Sequence, residues 1–305
     1  MKRSDKLKAG KHDVDATLVR RLLLGQFPQF AHLDIQPLEE DGWDNWTFRL
    51  GSDFKVRLPT DAAYAEQATK EVEWLPRLAP HLPLAIPRPI ALGEPDADYP
   101  WLWSIYEWIP GKPPGRQAAL DLVRLAGDLG GFLRSLWTID SAGGPPPGAH
   151  NFHRGGDLIA IYGGEARAAL ARIAGRIDVE GAIGVLDQAN AMAFHGTPSW
   201  LHGDIAVGNL LLQDGRLSAV IDFGSSAVGD PACDLVISWL FFDGESRARF
   251  RDVVTADDAC WARARAWALW KAAIVLAADS PVHPDEAPPL DVIETVVREH
   301  RQQFF

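Results

Sequence analysis

Apolar positions along the chain alternate between two periods, and the change from one to the other marks the architecture. Leu18, Val19 and Leu22 recur at helical steps and predict a short helix over Asp15 to Gly25. Three extended runs follow, Leu33 to Glu39, Asn45 to Leu50 and Phe54 to Leu58. Gly51-Ser52-Asp53 joins the last two as a hairpin turn, and Pro59 and Thr60 close the third. Helical spacing returns from about Ala62 to Leu78, with Val72, Leu75 and Leu78 on one face. Pro80, Pro83, Pro87 and Pro89 punctuate the exit, and Ile90 to Leu92 and Trp101 to Tyr106 read as two further strands.

The character changes after Ile109-Pro110-Gly111. Leu122, Leu125, Leu129, Leu133 and Leu136 stand three or four residues apart and predict a strongly amphipathic helix over Asp121 to Leu136. A Pro/Gly loop, Gly143 to Gly148, precedes two helices around Leu158 to Ile173 and Glu180 to Phe194. Leu210 to Gln213 and Leu217 to Ile221 flank Asp214-Gly215, a hairpin signal. From Pro231 the pattern is mainly helical to the end. The expectation is a bilobal α+β fold: residues 1–109 as a small lobe with an antiparallel sheet and one long helix, residues 110–305 as a larger, mainly helical lobe.

Composition narrows the class. With 305 residues, 47% hydrophobic and 23% charged, the chain buries a core without disulfides or a structural metal, and disorder is excluded. Cys233 and Cys260 are too few for a secreted disulfide framework. A formal charge of -11 repels nucleic acid and anionic membrane and attracts small cations; keeping the protein soluble explains it equally well. Met1 to Lys6 is basic but no apolar run follows, and the apolar stretch Trp267 to Ala278 is short and broken by Lys271. These observations predict a cytoplasmic protein with no nucleic-acid or membrane partner and leave the oligomeric state open.

The chemistry concentrates in His202-Gly203-Asp204, Asn209 and Asp222-Phe223-Gly224. A carboxylate, an amide five residues on and a second carboxylate after a hairpin suit phosphoryl transfer. One carboxylate takes the proton of the attacking hydroxyl, while the amide and the other carboxylate hold Mg²⁺, which accepts few hard oxygen ligands and completes its shell with water and phosphate.

On these residues the chain resembles the aminoglycoside phosphotransferase family, antibiotic kinases with a protein-kinase-like fold. Gly229-Asp230-Pro231 with Asp234, the hinge-like Tyr106 to Gly111 and the start Gly42 to Asn45 extend the resemblance over about residues 40 to 240. It implies Asp204 as catalytic base, Asn209 and Asp222 as metal ligands, and residues 1–109 as the nucleotide-binding lobe for ATP or GTP. His202 is either a brace for its loop or a packed core histidine. Asp230 before Pro231 reads as a helix cap, with substrate contact as the alternative.

In the small lobe Arg57 falls where the family carries a phosphate-contacting lysine, and Glu71 matches its acidic partner. Arginine keeps the charge and binds phosphate with a planar fork. Strand alternation puts Lys55 on the same face, so Lys55 stays open as the alternative. The hinge backbone of Glu107 and Ile109 would hold the base, with Tyr106 limiting the back of the pocket. Asp41 to Asn45 would turn over the phosphates, Asn45 included, although no Gly-x-Gly-x-x-Gly is present.

Other motifs are weaker. No P-loop or His-Glu-x-x-His occurs, and His150, Asn151 and His153 form no credible zinc set. Trp267 and Trp270 read as core, and Ser246 to Arg251 as a solvated helix face. The resemblance places the acceptor between the catalytic loop and the helices after about residue 235, with help from residues 140–195. For a cationic aminoglycoside, Asp243, Glu245, Asp257, Asp258, Asp279, Asp285 and Glu286 offer charge; for a macrolide, Trp239, Phe241, Phe242 and Trp261 offer an apolar wall. A sugar or amino alcohol is a further acceptor, and a nucleotide-binding pseudokinase is the non-catalytic alternative. A protein kinase is disfavoured, because no Ala-Pro-Glu-type segment follows Gly224.

Overall fold

The computed structural model describes residues 3–38, 42–115 and 120–302. Contacts divide the chain into two units, one of Met1–Pro80, Ala85–Pro110 and Asp222–Gly224, the other of His81–Leu84, Gly111–Ile221 and Ser225–Phe305.

The first unit carries α1 (Arg3–Lys8), α2 (Ala16–Gln26), β1 (Ile35–Pro37), β2 (Asn45–Leu50), β3 (Phe54–Pro59), α3 (Ala65–Leu78), β4 (Pro89–Gly93) and β5 (Trp103–Glu107). Its sheet has the order β1-β2-β3-β5-β4 with every pair antiparallel. Register sets Thr47 beside Arg57 and Arg57 beside Ser104, with Phe48, Val56 and Ile105 one step along. Side chains alternate across a strand, so Val56 and Leu58 enter the core with Trp46, Phe48, Trp103, Ile105 and the α2 residues Val19, Leu22 and Leu23. Each such fully buried side chain contributes about 1.5–3 kcal/mol. Lys55 and Arg57 take the opposite face.

Helix α3 begins after a 3₁₀ turn at Ala62–Tyr64, capped by the Asp61 carboxylate on the Ala63 N–H at 3.1 Å. Leu75 and Leu78 are buried as expected, whereas Val72 is only half-buried. The buried stripe continues instead through Gln67, Lys70 and Glu71.

The second unit contains α4 (Leu122–Trp137), α5 (Leu158–Arg172), α6 (Val179–Ala191), β6 (Ser199–Leu201), β7 (Leu210–Gln213), β8 (Arg216–Val220), β9 (Ala227–Gly229), α7 (Ile237–Leu240), α8 (Gly244–Val254), α9 (Asp258–Ala277) and α10 (Pro289–Gln302). Helix α9 is buried around most of its girth and packs against α5, α6, α10 and the 3₁₀ segment Pro231–Val236. The β7–β8 hairpin turns at Asp214 (φ 51°) and Gly215 (φ 74°). Two consecutive positive φ values match the right-handed twist of the flanking strands, which is why Asp-Gly marks this turn.

Four features differ from the sequence reading. Helix α1 is additional, as is the antiparallel pair β6–β9. Strand β1 is three residues long, and Glu39 and Asp41, like Met1 and Lys2, lie outside the described residues. On α8, Arg247 is no solvated charge: it donates to Glu299 at 2.8 Å and to the Ser238 and Phe242 carbonyls at 2.8 and 2.9 Å. Among the described residues no helix is long and apolar enough to cross a membrane.

Candidate active site

The loop after β6 is built around a buried carboxylate. Asp234, in the 3₁₀ segment Pro231–Val236, accepts the His202 N–H at 2.8 Å and the Gly203 N–H at 2.7 Å. Burial pushes its carboxyl up to about 6, against the opposing pull of His202 and of the two N–H donors. Gly203 has φ +84°, and a Cβ there would lie 2.2 Å from the Ser225 carbonyl oxygen, so only glycine fits. His202 is fully buried; its Nε2 donates to the Ile221 carbonyl at 3.0 Å and its Nδ1 accepts the Asp204 N–H at 3.2 Å. These partners fix one tautomer and make His202 a brace for the loop.

So held, Asp204 projects an exposed carboxylate. The Asn209 Nδ2 donates to its carbonyl at 2.9 Å and to its Oδ2 at 3.1 Å. Both amide hydrogens face Asp204, which leaves the Asn209 Oδ1 as an unspent oxygen donor. The Asn209 carbonyl accepts the Ile221 N–H at 2.8 Å, and the chain passes from Ile221 directly into Asp222.

Asp222 sits in the left-handed region at φ 69°, a conformation unusual for a residue with a side chain and characteristic of functional turns. In the first unit the Arg57 guanidinium grips it, Nη2 to Oδ1 at 2.7 Å, and reaches both Glu71 oxygens from Nη1 at 3.2 and 3.1 Å. Burial alone would lower the Arg57 guanidinium; Glu71 and Asp222 outweigh it and push it well above its usual range. The Tyr106 hydroxyl also donates to Glu71, and burial first, then the Glu71 charge, raises that phenol far above its ordinary value. Lys55 lies 5.7 Å from the Tyr106 ring centroid, and the charge network with Glu71 and Asp222 belongs to Arg57.

Two buried side chains of α3 that the sequence reading passed over complete this arrangement. The Lys70 Nζ donates to the Gly224 carbonyl at 2.6 Å, and burial brings its ammonium down to about 8. Gln67 lies against Gly224, where a Cβ would come within 2.7 Å of its amide, and donates to Asp44 at 3.2 Å. The signal was present: Gln67, Lys70, Glu71, Leu75 and Leu78 share one helical face.

Of the hinge residues, Glu107 donates its N–H to the Arg88 carbonyl at 3.0 Å, and its carboxylate accepts the Arg88 guanidinium at 2.9 Å. The Ile109 N–H makes no hydrogen bond among the described residues. Asn45 is buried at the start of β2, its carbonyl taken by the Lys6 Nζ at 2.6 Å. Asp41 of the expected phosphate turn is outside the described residues. Asp230 caps the segment after it and forms a two-pronged pair with Arg263 at 2.7 and 3.0 Å, a structural role.

A family model described as the phosphotransferase enzyme family, APH, matches residues 34–267. The chain belongs to this family. It is thus a member of a phosphotransferase family, and its fold agrees with solved structures. Wild-type aminoglycoside 2'-phosphotransferase-IIIa in complex with GDP is 18% identical with a TM-score of 0.64, covering 96% of this chain and 100% of that one. The streptomycin-ATP-APH(2")-IIa ternary complex is 18% identical, TM-score 0.60, over 95% and 97% of the two chains. Macrolide 2'-phosphotransferase MphH from Brachybacterium faecium, as apoenzyme, is 23% identical, TM-score 0.56, over 88% and 94%. No curated protein matches the sequence significantly.

The residues that the sequence offered for an acceptor are placed differently. Trp239, Phe241, Phe242 and Trp261 are core residues, at most 2% exposed, and form no open wall. Asp243 and Asp257 cap α8 and α9, and Glu286 faces Lys271 at 3.7 Å. Beside Asp204 lies a recess lined by Arg154, Cys233, Trp267, Trp270 and Lys271.

Proposed function

We propose that the protein transfers the γ-phosphoryl group of a nucleoside triphosphate, ATP or GTP, to a hydroxyl of a small molecule. The observation that carries this reading is the exposed Asp204 carboxylate, oriented by Asn209 on a loop that Asp234, Gly203 and His202 hold rigid. Asp204 accepts the proton of the acceptor hydroxyl as its oxygen attacks the γ-phosphorus. The bond from that phosphorus to the bridging oxygen breaks, and its electron pair leaves with the nucleoside diphosphate. Arg57, fixed by Glu71, offers a permanent cation for the phosphate charge. The Glu107 carbonyl and the Ile109 N–H serve the base.

Asn209 Oδ1 and the Asp222 carboxylate are the donors suited to Mg²⁺. Among the described residues no group of three His, Cys, Asp or Glu side chains could hold a metal. Magnesium needs no such cage, since it keeps waters and shares phosphate oxygens. When bound, it neutralises charge on the phosphates.

Aminoglycosides are the first acceptors to assay, because relatives of this fold bind kanamycin or streptomycin. On that reading the protein is a cytoplasmic antibiotic-resistance kinase. Arg57 closes the Glu71 network in place of lysine, which supports a catalytic protein over a non-catalytic nucleotide binder. Incubation with MgATP and a mixture of aminoglycosides, macrolides, sugars and amino alcohols, read by mass spectrometry, should give one phosphate adduct. Nucleotide binding with no adduct on any compound would contradict phosphotransfer.

A further inference from the structure

The recess beside Asp204 has a volume of about 20 Å³, enough for one water-sized group. It is partly open to solvent, so an acceptor whose hydroxyl reaches Asp204 meets the side chains that line it. Their charge is positive. The Arg154 guanidinium lies 5.2 and 4.9 Å from the ring centroids of Trp267 and Trp270. It is half-buried and makes no hydrogen bond or ion pair among the described residues. Stacking uses the face of a guanidinium and leaves its in-plane N–H fork unspent.

The carboxylates around it are committed elsewhere. Glu165 accepts the Trp270 indole N–H at 2.7 Å, Glu286 faces Lys271 at 3.7 Å, and Asp234 holds two backbone N–H groups. Among the described residues, Asp204 is the one carboxylate lining the recess, opposed there by Arg154 and Lys271. An ammonium group on the acceptor would meet these cations. The overall charge of -11 favours cations at long range, but screening over about 8–10 Å hands the decision to the nearest charges.

We infer that Arg154 recognises the acceptor and that the acceptor is a hydroxylated small anion, its carboxylate or phosphate in the Arg154 fork and its hydroxyl at Asp204. This rests on the phosphotransfer reading above and, for the same site, puts an anionic acceptor in place of the aminoglycosides named there.

Four compound pools test it: hydroxy and sugar acids, sugar phosphates, neutral sugars and polyols, and amino sugars with aminoglycosides. Binding to the intact protein is read by ligand-observed NMR, and turnover by ADP release with MgATP. The expected result is binders from one of the two anionic pools, which tells carboxylate from phosphate. Their affinity should fall about tenfold or more in Arg154→Gln and less in Arg154→Lys, with KM for the acceptor rising more than kcat falls. Binders confined to the neutral or amino pools, anionic pools without a binder, or anions bound equally by Arg154→Gln would each overturn the inference. An anion that binds through Arg154 yet elicits no ADP release would refute the phosphotransfer reading and leave the recognition role standing.

Discussion

Replacing Arg57 by alanine removes the cation that faces both Glu71 and Asp222. Glu71 is 3% exposed and stays buried with a lone charge, while the Asp222 side chain, 33% exposed, recovers part of its solvation. Removing one partner of a buried pair costs about 3–5 kcal/mol, and here most of that loss falls on Glu71. Arg57→Lys keeps the charge but cannot span two carboxylates. It should lose one charge-assisted bond, about 1.5–3 kcal/mol. Lys55→Ala, on the same strand face, should cost under about 1 kcal/mol, as for a partly exposed cation. Urea unfolding at pH 7, followed by tryptophan fluorescence, measures all three, and nucleotide titration should show weakened binding for Arg57→Ala alone. An Arg57→Ala protein within about 0.5 kcal/mol of the parent, or a larger loss in Lys55→Ala, would refute the assignment of the buried cation to Arg57.

Gly203→Ala should destabilise the protein and abolish turnover, since the left-handed backbone alone costs about 1–2 kcal/mol and the Cβ would strike the Ser225 carbonyl; a variant of parental activity would show that the loop yields freely. Asp234 keeps its proton to about pH 6 in the fold against an ordinary 3.8. The folded state therefore binds more protons between these values, and the Asp234 contribution is full below about pH 4 and lost as pH rises through about 6. The change is about 3 kcal/mol at about 1.4 kcal/mol per pH unit, and Asp234→Asn should remove that slope from stability measured across pH 4 to 7. An unchanged slope in the variant would show that another group titrates there. Asp222→Ala should weaken nucleotide binding in Mg²⁺ and have less effect without it; equal affinity in both conditions would remove Asp222 from the metal.

Much of the sheet was legible because its strands alternate sharply: Asn45–Leu50 carries its apolar and polar residues on opposite faces, and Asp214-Gly215 announces its own turn. Helix α1 escaped notice because Arg3–Lys8 has no apolar stripe, and β6 and β9 because three residues show no period. The helix α3 face was read too narrowly. Lys70 looks like a solvent charge until the Gly224 carbonyl is seen to receive it, whereas the resemblance already paired Glu71 with Arg57. His202 offered two roles in the sequence, and only its partners at Ile221 and Asp204 distinguish a brace from packing. Trp267 and Trp270 are core, as expected, yet they also present Arg154 beside Asp204. That pairing joins residues more than a hundred positions apart, which no local pattern reveals.

The most direct measurement compares Asp204→Ala with the parent in acceptor-dependent ADP release and in nucleotide affinity. Turnover should fall by several orders of magnitude while nucleotide affinity stays within about threefold, because proton acceptance and hydroxyl alignment act in the transition state. Turnover near the parental rate would mean that another group takes the proton, and the account of this site would fail.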